Sequence, residues 1–204
     1  TKKEAVESTQ FYSDSVGPDR ATIIEDNEEA LKMRLRVIKD AQKTLILSTF
    51  DFRSDDAGKD ILAALLNAAD RGVKVEIFAD GFNSIIQMEN NDYFYALSSN
   101  KNIKIIIYNQ VNILIPWNGL GRMHDKFVIA DDSLYILGGR NTFGYFLGDY
   151  AGHKNYDRDV LVYNTGSKAS SIYQIKDYYK KITSQKCCSV FHCNESLGEK
   201  NSVK

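Results

Sequence analysis

The sequence predicts an α/β domain, a central mixed β-sheet flanked by helices. Two observations carry this reading. Up to about residue 110, amphipathic segments alternate with short apolar runs, an order that builds parallel strands joined by helical crossovers. Beyond residue 120 the order changes, and two apolar runs follow one another through one short polar turn, which builds an antiparallel pair.

The elements follow in order. Residues 1–20 hold Ser, Thr, Gly and Pro without a sustained period and read as an irregular N-terminal segment. A helix begins at Asp26, where Asp26 or Asn27 can cap, Glu28 and Glu29 suit the first turn, and Leu31, Leu35 and Ile38 recur on one face. The run KTLILSTFDF is a buried strand. Residues 57–71 form a second amphipathic helix closed by Gly72. VKVEIFAD is a strand, residues 91–99 a shorter helix, and NIKIIIYN a third strand. HDKFVIA and LYILGG are two strands joined by DDS, a hairpin signal, and DVLVYN is another strand. SKASSIYQIKDYYKKI closes the domain as a helix with Ile172, Ile175 and Tyr179 near one face. The domain is therefore expected over residues 21–183, and residues 184–204 as a polar, frayed tail.

Bulk properties narrow the function. The chain has 204 residues with 26 basic and 27 acidic side chains, so no global basic field points to nucleic acid, although a local basic cleft stays open. No apolar run approaches the roughly 20 residues of a membrane span, and no signal peptide is visible. The chain starts at Thr1 rather than Met, so it is expected to be a piece of a longer protein. The cysteines, Cys187, Cys188 and Cys193, lie with His192 in one cluster, CCSVFHC. A zinc site usually draws paired ligands from two separated loops, so ordinary thiols are expected and no metal.

The chemistry concentrates in residues 122–141, RMHDKFVIADDSLYILGGRN. Alternate residues of a strand point the same way, so His124 and Lys126 share one face, and Asp125, Phe127 and Ile129 the other. An imidazole beside an ammonium suits a phosphoryl group: the lysine neutralises its oxygens, and the imidazole can attack phosphorus or carry a proton. Gly138 and Gly139 end the next strand and would let backbone N–H groups approach an anion. Asn141 adds an amide donor on the same rim, and Asp131, at the hairpin turn five residues past the lysine, is expected to order the turn or the lysine rather than to meet substrate.

His124, Lys126, Asp131, Gly138, Gly139 and Asn141 together spell H-x-K-x(4)-D-x(6)-G-G-x-N, which resembles the HKD signature of the phospholipase D superfamily. The segments ALKMRLRVIKDAQKTLILSTF, DILAALLNAADRGVKVEIFADGF and YDRDVLVYN resemble the corresponding parts of cardiolipin-synthase-like members, so the likeness covers roughly residues 20–165. It implies a phospholipase D-like α/β/α sandwich. It also implies phosphodiester hydrolysis or transfer through a phosphohistidine, without cofactor or metal. In such members one His attacks, a second His protonates the leaving alcohol, and water or another alcohol resolves the intermediate. Carried over, His124 is the nucleophile or general acid, Lys126, Gly138, Gly139 and Asn141 bind phosphate, and Asp131 supports the catalytic set. Many members place a carboxylate after the motif to hold the imidazole. Asp157 is the first choice here and Asp159 the second.

This chain departs from the family pattern in one respect. Neither His153 nor His192 is followed by Lys at the second position, so there is one motif where the reaction uses two. The missing motif is expected from a second half of the same full-length chain or from a homodimer mate. The expected substrate is a phospholipid or another phosphodiester, handled at a membrane surface. The alternatives are a homodimeric nuclease, which the mixed charge of RNTFGYFLGDYAGHKNYDRD argues against, and a domain kept for assembly. Phe143, Tyr145 and Phe146 could line an acyl path or a seam against the partner half, and Trp117 could edge the cleft or pack its loop.

Overall fold

The computed structural model describes residues 15–111 and 120–191. Eight strands form one sheet: β1 (Asp19–Ile24), β2 (Thr44–Thr49), β3 (Lys74–Asp80), β4 (Ile103–Tyr108), β5 (Phe127–Ala130), β6 (Leu134–Gly138), β7 (Asp159–Asn164) and β8 (Cys188–Val190), in the order β1-β7-β6-β5-β2-β3-β4-β8. β2, β3 and β4 are parallel, and every other pairing is antiparallel. The sheet is mixed for the reason the sequence contains: helical crossovers join the parallel strands β2, β3 and β4, and a tight turn joins the antiparallel pair β5 and β6.

Helices α1 (Asn27–Asp40), α2 (Asp56–Asp70) and α4 (Asp92–Ser98) bury their apolar stripes on one face of the sheet, around Leu65, Ile77, Ile105 and Val128. Helix α5 (Ile172–Thr183) covers the other face with Ile172 and Tyr179, over Ile46, Phe78, Phe127 and Ile129. The result is an α/β/α sandwich. The first turn of α1 is capped by Asp26, which accepts from the N–H of Glu29 at 2.9 Å. α2 ends at Arg71, and Gly72 then turns the chain with φ +95°, a conformation glycine adopts without steric cost.

Three elements differ from the sequence expectation. β1 lies partly inside the segment read as irregular and pairs along its whole length with β7. A short helix α3 (Gly81–Gln87) follows β3. The segment read as a frayed tail contributes β8 on the free edge of β4, and Phe191 is buried and stacked on Tyr95 at 5.9 Å. The wider tail, with His192 and Cys193, and Trp117 lie outside the described residues. Among those described, Cys187 and Cys188 are free thiols, and no helix is long and apolar enough to cross a membrane.

Candidate active site

Parallel β2 and β3 end where antiparallel β5 and β7 begin and β6 ends, so five strands deliver their chemistry to one end of the sheet. Open α/β sheets commonly bind ligands at this end. β2 leads into Phe50 and Asp51. β3 ends on Asp80. The approach to β5 carries Arg122, His124 and Lys126. β6 leads into Gly139 and Asn141, and β7 is preceded by Asp157.

His124 and Lys126 precede β5 rather than lying within it, but the extended chain keeps them on one side. The ring of Phe50 touches both: it meets the imidazole edge-to-face at 4.6 Å and lies 5.2 Å from the lysine Nζ. Lys126 is buried to 5% exposure, whereas His124 is exposed. Lys126 Nζ donates to the carbonyl of His124 at 2.6 Å, which ties the ammonium to the histidine backbone and leaves it two more N–H groups. On the opposite side of the strand, Asp125 accepts from the hydroxyl of Tyr178 on α5 at 2.5 Å, and Phe127 and Ile129 enter the α5 core.

Electrostatics suit a nucleophile. Burial and then the positive charge of Lys126 lower the His124 pKa from its ordinary 6.5, against the opposing pull of Asp125 and Asp80. This shift favours the neutral form of the imidazole. Burial also lowers the pKa of Lys126, while Asp125 and Asp157 resist the shift.

Asn141 stands at the same end, where its side-chain oxygen accepts from the N–H of Asp51 at 3.2 Å. This contact fixes the amide plane and leaves its NH2 group as the donor end. Asp51 itself is buried and paired with Arg53 at 2.6 Å.

The remaining expected residues have other duties. Asp131 is at the far end of β5, about 20 Å along the chain from His124. Its carboxylate accepts from the N–H groups of Gln42, Lys43 and Thr44 at 2.9, 2.8 and 2.8 Å, pinning the entry to β2. These contacts are those of a scaffold residue that orders the turn. The N–H of Gly138 is engaged by the carbonyl of Lys126 at 3.2 Å, so it does not cradle an anion. The glycine pair makes room for carboxylates instead: a Cβ on Gly138 would fall 1.8 Å from Asp159 Oδ1, and one on Gly139 2.0 Å from Asp157 Oδ2. Asp159 is buried and salt-bridged to Arg34 at 2.9 Å and Arg140 at 3.2 Å, which removes it as an orienting acid for His124. Asp157 abuts Gly139 and acts on the charge of Lys126; its influence on His124 is not among the leading ones. Phe143 is buried under the guanidinium of Arg53 at 3.8 Å, and Phe146 packs on the core, so only Tyr145 of that trio is well exposed. His153 contacts Tyr145 at 5.0 Å and Asn155 at 2.9 Å.

Sequence reasoning missed Phe50 and the Asp80–Arg122 pair. Arg122 shares the alternation of His124 and Lys126, a signal that was present; the pairing with Asp80 is long-range and left none. Among the described residues no cluster of His, Cys, Asp or Glu is arranged to hold a metal ion.

A His-x-Lys pair at the strand ends of a mixed α/β/α sandwich defines a phospholipase D-superfamily domain, a class of phosphodiester-processing enzymes. A family profile described as "Cardiolipin synthase, PLD-like domain" matches residues 35–183, and the chain belongs to that family. Among similar proteins, cardiolipin synthase B of Salmonella typhi is 32% identical over 142 residues, 69% of this chain and 34% of that protein. The enzyme of the same name in Escherichia coli K12 is 31% identical over 144 residues, 70% of this chain and 34% of that protein. The chain thus spans about a third of the length of these curated relatives. Two solved structures share the fold. NucT from Helicobacter pylori has a TM-score of 0.66 at 21% identity, covering 85% of this chain and 99% of that one. Nuc from Salmonella typhimurium, a phospholipase D family member, has a TM-score of 0.60 at 20% identity with the same coverage.

Proposed function

We propose that the domain hydrolyses or transfers phosphodiesters through a phosphohistidine on His124, as one half of a site that takes its second histidine from another half of the full-length chain or from a second copy. The observation that carries the proposal is the pairing of a neutral-leaning imidazole with the buried Lys126 at the sheet end, with the Asn141 amide on the same rim. Lys126 and Asn141 hold the nonbridging oxygens. A His124 ring nitrogen attacks phosphorus, the P–O bond to the leaving alcohol breaks, and the second histidine gives that alcohol its proton. Water or an acceptor alcohol then attacks the phosphohistidine, loses its proton to the same second histidine, and frees His124.

Phospholipid is the substrate we favour. The family profile and the relatives named cardiolipin synthase B support it, and so does the exposed apolar face of α3 beside the site, with Phe82, Ile85 and Ile86. Membrane-surface work follows from the same face. The homodimeric-nuclease reading draws its support from the match over 99% of the solved chains of NucT and Nuc, each with the extent of this one domain.

The test combines solution mass by light scattering with turnover of bis(p-nitrophenyl) phosphate and acid-labile phosphate on the protein, for the wild type and His124→Ala. An active dimer whose turnover and label both vanish in the variant supports a site shared between copies. An inactive monomer that still takes up label at His124 supports the half-enzyme. Turnover undiminished by His124→Ala would sink the proposal.

A further inference from the structure

Arg122 is a cation at the site that the reaction above does not use. Residues 122, 124 and 126 alternate along one extended segment, and all three meet the ring of Phe50: the Arg122 guanidinium at 4.9 Å, the His124 ring at 4.6 Å and the Lys126 Nζ at 5.2 Å. A second ring, Phe82, also lies 4.9 Å from the guanidinium. Asp80 then fixes its direction, accepting from Nε at 2.9 Å and from Nη2 at 2.7 Å. Asp80 is fully buried and also accepts from the N–H groups of Phe82, Asn83 and Met123. The carboxylate is thus held from the backbone side and acts as a rigid mount for the arginine.

A guanidinium has five N–H groups. Asp80 takes Nε–H and one of Nη2, and the Arg122 side chain remains 36% exposed. Among the described residues the edge without a partner is the Nη1–Nη2 fork, the geometry that binds an oxyanion through two parallel hydrogen bonds. Its charge is near enough to His124 to help lower the imidazole's pKa. A structural ion pair would need neither the two flanking rings nor an outward fork beside a reacting histidine.

We propose that Arg122 is a second anion-binding residue of this site, holding a phosphate-sized anionic group of the substrate that neighbours the scissile phosphodiester. The inference rests on the phosphodiester reading of His124 and Lys126. Alternate residues of an extended chain stand about 6.6 Å apart, so the two anions belong to one molecule, with a few bonds between them. Phosphates across a glycerol and successive phosphates of a nucleotide strand both satisfy that chemistry.

The test is equilibrium binding by titration calorimetry to the whole chain. One arm compares glycerol 1-phosphate with glycerol 1,3-bisphosphate, and the other compares thymidine 5′-phosphate with thymidine 3′,5′-bisphosphate. The wild type is expected to bind at least one bisphosphate about tenfold more tightly than its monophosphate, and the arm that shows the gain names the source. Arg122→Gln is expected to erase that gain while changing monophosphate binding far less. Arg122→Lys, which keeps the charge and the Asp80 partner, recovers part of it, and melting curves confirm that both variants fold. Lys126→Ala weakens all four ligands. A bisphosphate advantage that survives in Arg122→Gln, or equal loss of mono- and bisphosphate binding, would overturn the assignment of Arg122 while leaving Lys126 in place. Binding indifferent to Lys126→Ala would overturn the phosphodiester site itself, and the second anion seat with it.

Discussion

Replacing Asp131 separates scaffold from chemistry, because this acid stands in the motif yet away from the reacting end. Its two carboxylate oxygens receive three backbone N–H groups from residues 42–44, and its own N–H donates to the carbonyl of Thr44 at 2.9 Å. Asp131 also sits at φ +52°, in the left-handed region that Asp and Asn tolerate better than Ala. A buried hydrogen bond to a charged group contributes about 1.5–3 kcal/mol. Here the donors can turn to water, so the three together come to about 2–3 kcal/mol. Left-handed strain in an alanine adds about 1 kcal/mol. Asp131→Ala should therefore cost about 3–4 kcal/mol, which for a domain of this size lowers Tm by about 6–15 °C. Asp131→Gly, relieved of the strain, should lose about 1 kcal/mol less, and Asp131→Asn, which keeps one acceptor oxygen, least of all. Urea melts give the stabilities, and phosphate affinity below the melting range gives the state of the site. Unchanged stability with lost phosphate affinity would refute the reasoning and return Asp131 to the reaction.

Other outcomes follow from the same geometry. Gly139→Ala forces its methyl into Asp157 and should cost about 1–3 kcal/mol by thermal melt, with Gly138→Ala at least as damaging because backbone as well as carboxylate stands in the way. Asp159→Ala strands two arginines that it bridges in the core, and about 3–5 kcal/mol of stability should disappear in a denaturant titration. Because folding lowers the His124 pKa, the acid limb of phosphohistidine formation should have its midpoint below 6.5 and be flat through neutrality. Lys126 is one cause of that lowering, so Lys126→Met should move the His124 midpoint upward in an NMR titration; a downward move would contradict the electrostatic account.

Much of this architecture was legible in the chain because burial imposes a period. β2, β3 and β4 are largely apolar, broken only by residues such as Glu76 and the exposed Lys104, since most of both their faces is covered, and α2 shows its stripe because Ile61, Leu65 and Ala68 all face the sheet. β1 escaped notice for the converse reason: only Ile24 of its six residues is buried, so an edge strand left almost no pattern. β8 is three residues long, and α3 buries just Gly81 and Ser84. At the site, His124 and Lys126 could be paired because alternation along a strand is a local property. The fate of Asp131 and of the glycines was set by partners far away in sequence, the loop at 42–44 and the aspartates before and within β7, and no linear spacing reveals these. Asp159, the second choice for an acid holding His124, is paired instead with arginines from α1 and from the motif's own loop, partners that no local spacing indicates.

The close fit between the glycine pair and the two aspartates ties four positions into two units of inheritance. Gly139 is free to become larger only after Asp157 has become smaller, whereas at Gly138 the Arg158 carbonyl still stands in the way once Asp159 has become smaller. Shrinking Asp159 first would release Arg34 and Arg140 into the core, so each single step passes through a damaged intermediate. Within each pair the cost of the double change should fall well short of the sum of its single changes, the signature of contacting residues. A library that varies these glycines one at a time would score both as untouchable, whereas one that varies Gly139 together with Asp157 would find an accessible route.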